Sequence, residues 1–67
     1  MKNRIQELRR ENRLTQEVLA ERCGVTRQTV ISLEGGRYNP SIFLARKIAQ
    51  VFGLAIEQVF IFEEEES

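Results

Sequence analysis

Apolar residues recur along this chain at helical spacing, in short blocks cut by turn residues. Ile5 and Leu8 share one face of a first segment from about Asn3 to Asn12. Val18, Leu19 and Ala20 mark a second, Gln16 to about Cys23, with Thr15 as its N-cap. Thr26 caps a third, Arg27 to Glu34, whose inward positions are Val30 and Leu33, and Gly35-Gly36 closes it in the manner of a left-handed C-cap. Asn39-Pro40-Ser41 is a turn and a third cap. After it Leu44, Ala45, Ile48, Ala49 and Phe52 repeat at helical period up to Gly53. A short fifth turn of helix follows, Ile56 to about Phe60. Five helices at short joints predict an all-α, compact five-helix domain. The run Val59-Phe60-Ile61-Phe62 is β-branched and aromatic. It reads either as the sticky end of helix five or, the reading favoured here, as a short C-terminal strand after Phe60. Such a strand needs a backbone partner, from the N-terminal residues or from another subunit.

The segment Gln16 to Leu33 carries the functional signal. Two short helices are joined by Cys23-Gly24-Val25. Ala20 sits where the helices cross and a larger side chain would part them. Gly24 sits in the turn, where a positive φ is cheap for glycine alone. Val30 and Leu33 face back onto Leu19, Ala20 and Cys23. Two helices at a steep angle, joined by a three- to four-residue turn with a glycine, make a helix-turn-helix. An ordinary αα corner also uses a small residue and a glycine, but the joint spacing of Ala20, Gly24 and the β-branched Val30 favours the motif.

Composition narrows the class. The chain has 67 residues, one cysteine and no histidine, which leaves no room for a catalytic domain on a scaffold, no internal disulfide and no zinc cluster. No nucleophile–base pair or phosphate-cradling loop is present, so an enzyme is not expected, nor any metal or cofactor. No signal-peptide core or membrane-length apolar run occurs, and a soluble cytoplasmic protein is expected. The formal net charge is zero but segregated: all ten Lys and Arg lie in residues 1–50 with five Glu, while residues 51–67 hold five Glu and no base. A basic body of this kind suits an anionic partner. The organisation expected is a domain over residues 1–62, with the helix-turn-helix at about 16–34, followed by an acidic tail at 63–67. The tail reads as a solvated segment that keeps the C-termini away from phosphate, with autoinhibition as the alternative.

The stretches Leu14-Thr15-Gln16-Glu17, Leu19-Ala20, Gly24 to Val30, Leu33-Glu34, Gly36 to Ser41, Leu44-Ala45 and Ile48-Ala49 resemble, in order, the phage-repressor and Cro-type helix-turn-helix proteins of the Xre family. The resemblance spans about residues 3–60, and is closest to minimal stand-alone members that bind as homodimers. It implies that the helix at about 27–34 is the recognition helix and enters the major groove of double-stranded DNA. Opposite its core face lie Arg27, Gln28, Ile31 and Ser32. Arginine pairs bidentately with guanine and glutamine with adenine, which makes Arg27 and Gln28 the leading base readers. Ile31 is either a contact to a thymine methyl or a partly buried residue with no reading role. Backbone contacts are expected from Thr15, Gln16, Thr29, Arg37, Tyr38 and Asn39. The resemblance further implies that Gln16 touches phosphate while bracing Gln28, and that Arg9 and Glu34 form an ion pair. Arg10, Arg13, Arg46 and Lys47 read equally well as ordinary surface charges.

Ile56, Val59, Phe60 and Phe62 offer more apolar surface than so small a bundle covers, and are expected to form a homodimer interface. A palindromic operator follows from that symmetry. Phe43 falls on the outer face of the fourth helix and is either a protein contact or an isolated exposed residue. Ala55 stands where the family carries a capping serine, so the fifth helix is expected to begin loosely. Cys23 reads as a small buried hydrophobe rather than a redox sensor. The function expected is a sequence-specific DNA-binding transcriptional regulator, a repressor. Its alternatives are an antitoxin that represses its own operon while binding a toxin, and a protein-interaction adaptor on the same fold.

Overall fold

The computed structural model describes residues 1–37 and 39–62. Its helices are α1 (Ile5–Glu11), α2 (Gln16–Cys23), α3 (Arg27–Glu34), α4 (Ile42–Phe52) and α5 (Ile56–Val59). α2 packs on both α3 and α4, α1 on α3, and α4 on α5. The core they enclose is one cluster of apolar side chains, with Ile5, Leu19, Leu33, Ile48 and Val59 almost wholly inaccessible. No buried polar side chain lacks a partner among the described residues.

Three helices start where a hydroxyl can cap them. Thr15 Oγ1 accepts from the Val18 amide at 3.0 Å, Thr26 Oγ1 from Thr29 at 3.2 Å, and Ser41 Oγ from Leu44 at 3.1 Å. Each such cap is worth about 1 kcal/mol. α1 begins two residues later than its apolar spacing suggests. Asn3 is drawn into an antiparallel bridge with Phe60, and its Oδ1 instead accepts from the Ile5 amide at 3.0 Å. α5 lacks a capping hydroxyl, but its start is held: the Ala55 amide donates to Gln58 Oε1 at 2.8 Å.

α1 to α4 all end in the same pair of closing bonds, the Schellman arrangement. After α2, Gly24 donates to the Glu21 carbonyl and Val25 to that of Ala20. Gly24 takes φ +71, which glycine reaches at no steric cost. After α3 the left-handed residue is Gly36, φ +72, while Gly35 stays right-handed. After α1 the same position is filled by Arg13 at φ +56, the single positive-φ residue other than glycine among the described residues.

The expected C-terminal strand reduces to that single bridge at Phe60, with Ile61 N donating to Lys2 O at 2.9 Å and Arg4 N to Val59 O at 2.7 Å. Its partner is the chain's own N-terminal segment. The same segment also clasps the end of α3. Asn3 Nδ2 donates to Leu33 O at 2.8 Å and the Met1 nitrogen to Gly36 O at 3.0 Å.

The assignment of Val59 and Phe60 to a dimer interface is corrected by their positions. They are 0% and 1% exposed, enclosed by this chain's own core. The bridge to Asn3 turns the Phe60 ring inward, so the chain itself covers surface that the sequence offers to a partner. The large apolar side chains left exposed among the described residues are Ile42, Phe43, Ile61 and Phe62. No helix among the described residues is long and apolar enough to cross a membrane.

Candidate nucleic-acid interface

α3 presents two unlike faces. Val30 and Leu33 are sealed in the core at 2% and 1% exposure, against the crossing with α2, where Ala20 is buried. On the other side Arg27 and Gln28 are exposed, and Ile31, Ser32 and Thr29 are half-buried. The N-terminal half of the helix, with Arg27 and Gln28, is therefore free to meet a ligand. Ile31 and Ser32 lie lower on the flank.

The helix is held rigidly at its far end. Glu34 Oε2 takes a hydrogen bond from Arg9 Nε at 2.7 Å, and Oε1 takes one from Gln16 Nε2 at 3.0 Å. Arg9 also donates to the Leu14 carbonyl at 3.0 Å. Both members of the ion pair are largely shielded, with side-chain exposures of 12% and 7%. This network pins α1, the α1–α2 turn, the start of α2 and the end of α3 to one another. Gln16 thus braces α3 through Glu34, not through Gln28 as expected. The carboxylate is the stronger acceptor, and it lies on the inner flank of α3 whereas Gln28 points outward.

The helix starts form the second part of the site. Thr15 is exposed, and because its oxygen accepts from Val18, its O–H is left to donate. Thr29 is more committed, since its hydroxyl lies 3.0 Å from that of Thr26. Neither α3 nor α4 carries a carboxylate in its first turn, so the positive end of each helix dipole is uncompensated. Arg37 and Asn39 are exposed in the loop between them. Tyr38 lies outside the described residues, as does the acidic tail at 63–67.

An open groove lies between α1, the α1–α2 turn and the start of α2, and its wall includes Arg10, Arg13, Thr15, Gln16 and Arg27. Spacing alone did not single out Arg10 and Arg13. The signal available in the sequence was a basic cluster immediately before a capped helix.

Away from this face, Arg4 pairs with Glu7 at 3.1 Å and reaches the Gln58 carbonyl at 3.2 Å, tying α1 to α5. Hydrogen bonding and charge from Arg4 hold the Glu7 carboxyl below its ordinary value. Burial raises the Cys23 thiol above its ordinary value, against a smaller opposite effect of Lys47. Cys23 is accordingly a thiol packed as a hydrophobe.

Comparison with known proteins agrees with this geometry. The helix-turn-helix family profile matches residues 5–59. A protein of Archaeoglobus fulgidus, named an uncharacterised HTH-type transcriptional regulator, is 56% identical over 66 residues, covering 98% of this chain and 93% of its own. The immunity repressor of Bacillus phage phi105 is 34% identical over 56 residues, 84% of this chain and 39% of the repressor. Among solved structures, a chain from the complex of the SinR protein with the SinI protein superposes with a TM-score of 0.74 at 31% identity. That match covers 81% of this chain and 53% of the other. The exposed start of α3, the crossing buried at Ala20, the left-handed turn at Gly24 and these likenesses agree: the chain belongs to the helix-turn-helix family of the phage-repressor (Xre) type, DNA-binding transcriptional regulators.

Proposed function

We propose that the protein is a repressor that reads a palindromic operator as a homodimer, with the start of α3 in the major groove. The observation that carries this reading is the asymmetry of α3: an exposed Arg27-Gln28 tip on a helix whose other face and far end are locked. An arginine and a glutamine carried on a helix that is braced before binding can discriminate bases through bidentate pairing. Arg27 and Gln28 are the base readers, with Ile31 and Ser32 beside them. Thr15, Gln16, Thr29, Arg37, Tyr38 and Asn39 position the duplex through its phosphates, which fix register without carrying sequence information.

With Val59 and Phe60 internal, the homodimer surface is the shallow apolar groove lined by Met1, Pro40, Ile42, Ile56 and Phe62. It lies where the N-terminal segment meets the loop after α3. A two-fold axis through it would carry two copies of α3 symmetrically, and successive major grooves on one side of a duplex lie roughly 34–36 Å apart. Selection of bound duplexes from a random library at about 150 mM salt, where non-specific electrostatic binding is suppressed, tests the proposal. It predicts a palindrome with half-site centres about ten base pairs apart. Failure of folded protein to enrich any sequence would reject it.

A second reading rests on Phe43, which is 77% exposed on α4. A protein partner docked there, as in an antitoxin or an adaptor, would make the protein's output depend on that partner, and the SinR–SinI complex shows that a related chain is found with a protein. Co-purification of a small partner that is lost in Phe43→Asp would support it.

A further inference from the structure

The groove beside the recognition helix is basic in a way that the fold does not require. It encloses about 740 Å³ and opens widely to solvent at the join of α1 and α2. Arg9 on its wall is neutralised by Glu34, and the one carboxylate exposed to it is Glu17. Arg10, Arg13 and Arg27 form no ion pair among the described residues. Glu7 lies one turn before Arg10 and is the natural helical partner for it, but Glu7 is taken by Arg4. Three guanidinium groups therefore share one concavity with little opposing charge.

Arg13 adds a separate argument. The helix ends after α2, α3 and α4 meet the left-handed conformation with glycine, and the end of α1 meets it with arginine. Glycine would close α1 at lower conformational cost, so the side chain placed there is one that local folding disfavours.

We propose that Arg10 and Arg13 form a phosphate clamp that grips the DNA strand on the outer flank of each half-site, beyond the bases met by α3. The ligand is the DNA phosphodiester, which a guanidinium fork engages bidentately. Arg27 fixes the placement. It lines the same groove and also stands at the tip of α3, so with that tip in the major groove the concavity opens onto the backbone bordering it. This inference rests on the DNA-reading function proposed above.

The test is affinity for the selected operator, measured at salt concentrations from about 50 to 200 mM, for wild type, Arg10→Ala, Arg13→Gly, the double variant and Arg46→Ala. Arg46 lies by α5, outside the groove, and controls for net charge. Each clamp residue contributes one contact per protomer, two per operator, so each single variant should flatten the logarithmic salt slope by about 1.8, at about 0.9 per phosphate. The double variant should flatten it by about 3.6 on the same basis. Base preference should be unchanged, Arg46→Ala should keep the wild-type slope, and Arg13→Gly should melt no lower than wild type. Wild-type slope in the double variant would overturn the clamp alone, as would equal flattening in Arg46→Ala. Absence of operator binding by the wild type would overturn the functional reading and the clamp with it.

Discussion

Replacing Glu34 by alanine isolates the strongest polar constraint in the fold. The carboxylate meets Arg9 at 2.7 Å and Gln16 at 3.0 Å, and the Arg9 side chain is only 12% exposed. Without Glu34 the guanidinium keeps the Leu14 carbonyl as its hydrogen-bond partner but loses the opposing charge. Breaking a shielded pair from one side costs about 3–5 kcal/mol, because the charge left behind is neither solvated nor matched. A domain of this length has a total stability of roughly 3–10 kcal/mol at 0.05–0.15 per residue. Glu34→Ala should therefore lose about 30% of it or more. At 4–8 °C per kcal/mol for a small domain, the lower bound corresponds to a Tm fall of about 12–24 °C. The size of the effect comes from the orphaned charge, not from the pair's own worth, so Arg9→Met/Glu34→Met should recover most of the loss. Urea and thermal unfolding followed by circular dichroism would measure both. A Glu34→Ala protein that melts within a few degrees of wild type, or a double variant no more stable than it, would mean that no orphaned charge is left on Arg9.

Three further expectations follow from burial and charge. Phe60→Ala should destabilise the folded chain by about 3–5 kcal/mol, as for a large core aromatic, whereas Phe62→Asp should shift sedimentation to the monomer and lower Tm only by the concentration-dependent part that dimerisation contributes. A dimer that survives Phe62→Asp would put the interface elsewhere. Cys23, 3% exposed with its thiol raised by burial, should resist alkylation in native protein and react in urea; rapid native labelling seen by mass spectrometry would contradict that burial. Glu7 has a folded value below its unfolded one, so its pair with Arg4 contributes stability above the unfolded carboxylate range and loses it as pH falls through the folded value. Arg4→Ala should move the Glu7 titration midpoint upward by NMR, and an unmoved midpoint would dismiss the pair.

Local signals in the sequence translated well into structure. Thr15, Thr26 and Ser41 were readable as caps because a hydroxyl before a periodic apolar run has few other uses, and the structure gives each one its amide. Ala20 and Gly24 were readable because steric limits act on single positions. What depends on the third dimension was harder to see. Asn3 looks helical by spacing, and only its distant partners Phe60 and Leu33 pull it out of α1. Val59 and Phe60 looked like surplus surface because apolar residues carry no mark of whether their own chain or another covers them. Gln16 was expected to reach Gln28, but the choice between that amide and a carboxylate is made by side-chain direction, which no spacing rule encodes. For Arg10 and Arg13 the sequence leaves phosphate contact and ordinary surface charge equally open, and it is the turn of α1 into α2 that puts them in one groove with Arg27.

If the tip of α3 reads bases and does not merely hold phosphate, Arg27 and Gln28 must carry sequence preference. The most direct measurement is the affinity of wild type, Arg27→Ala and Gln28→Ala for the selected operator and for every single-base change in one half-site, at fixed salt. Each variant should lose discrimination at one base pair or two, by about 1–3 kcal/mol per bidentate contact, while preferences elsewhere persist. Uniform weakening across all sequences in both variants would make these side chains phosphate ligands and rule out base reading by the tip of α3.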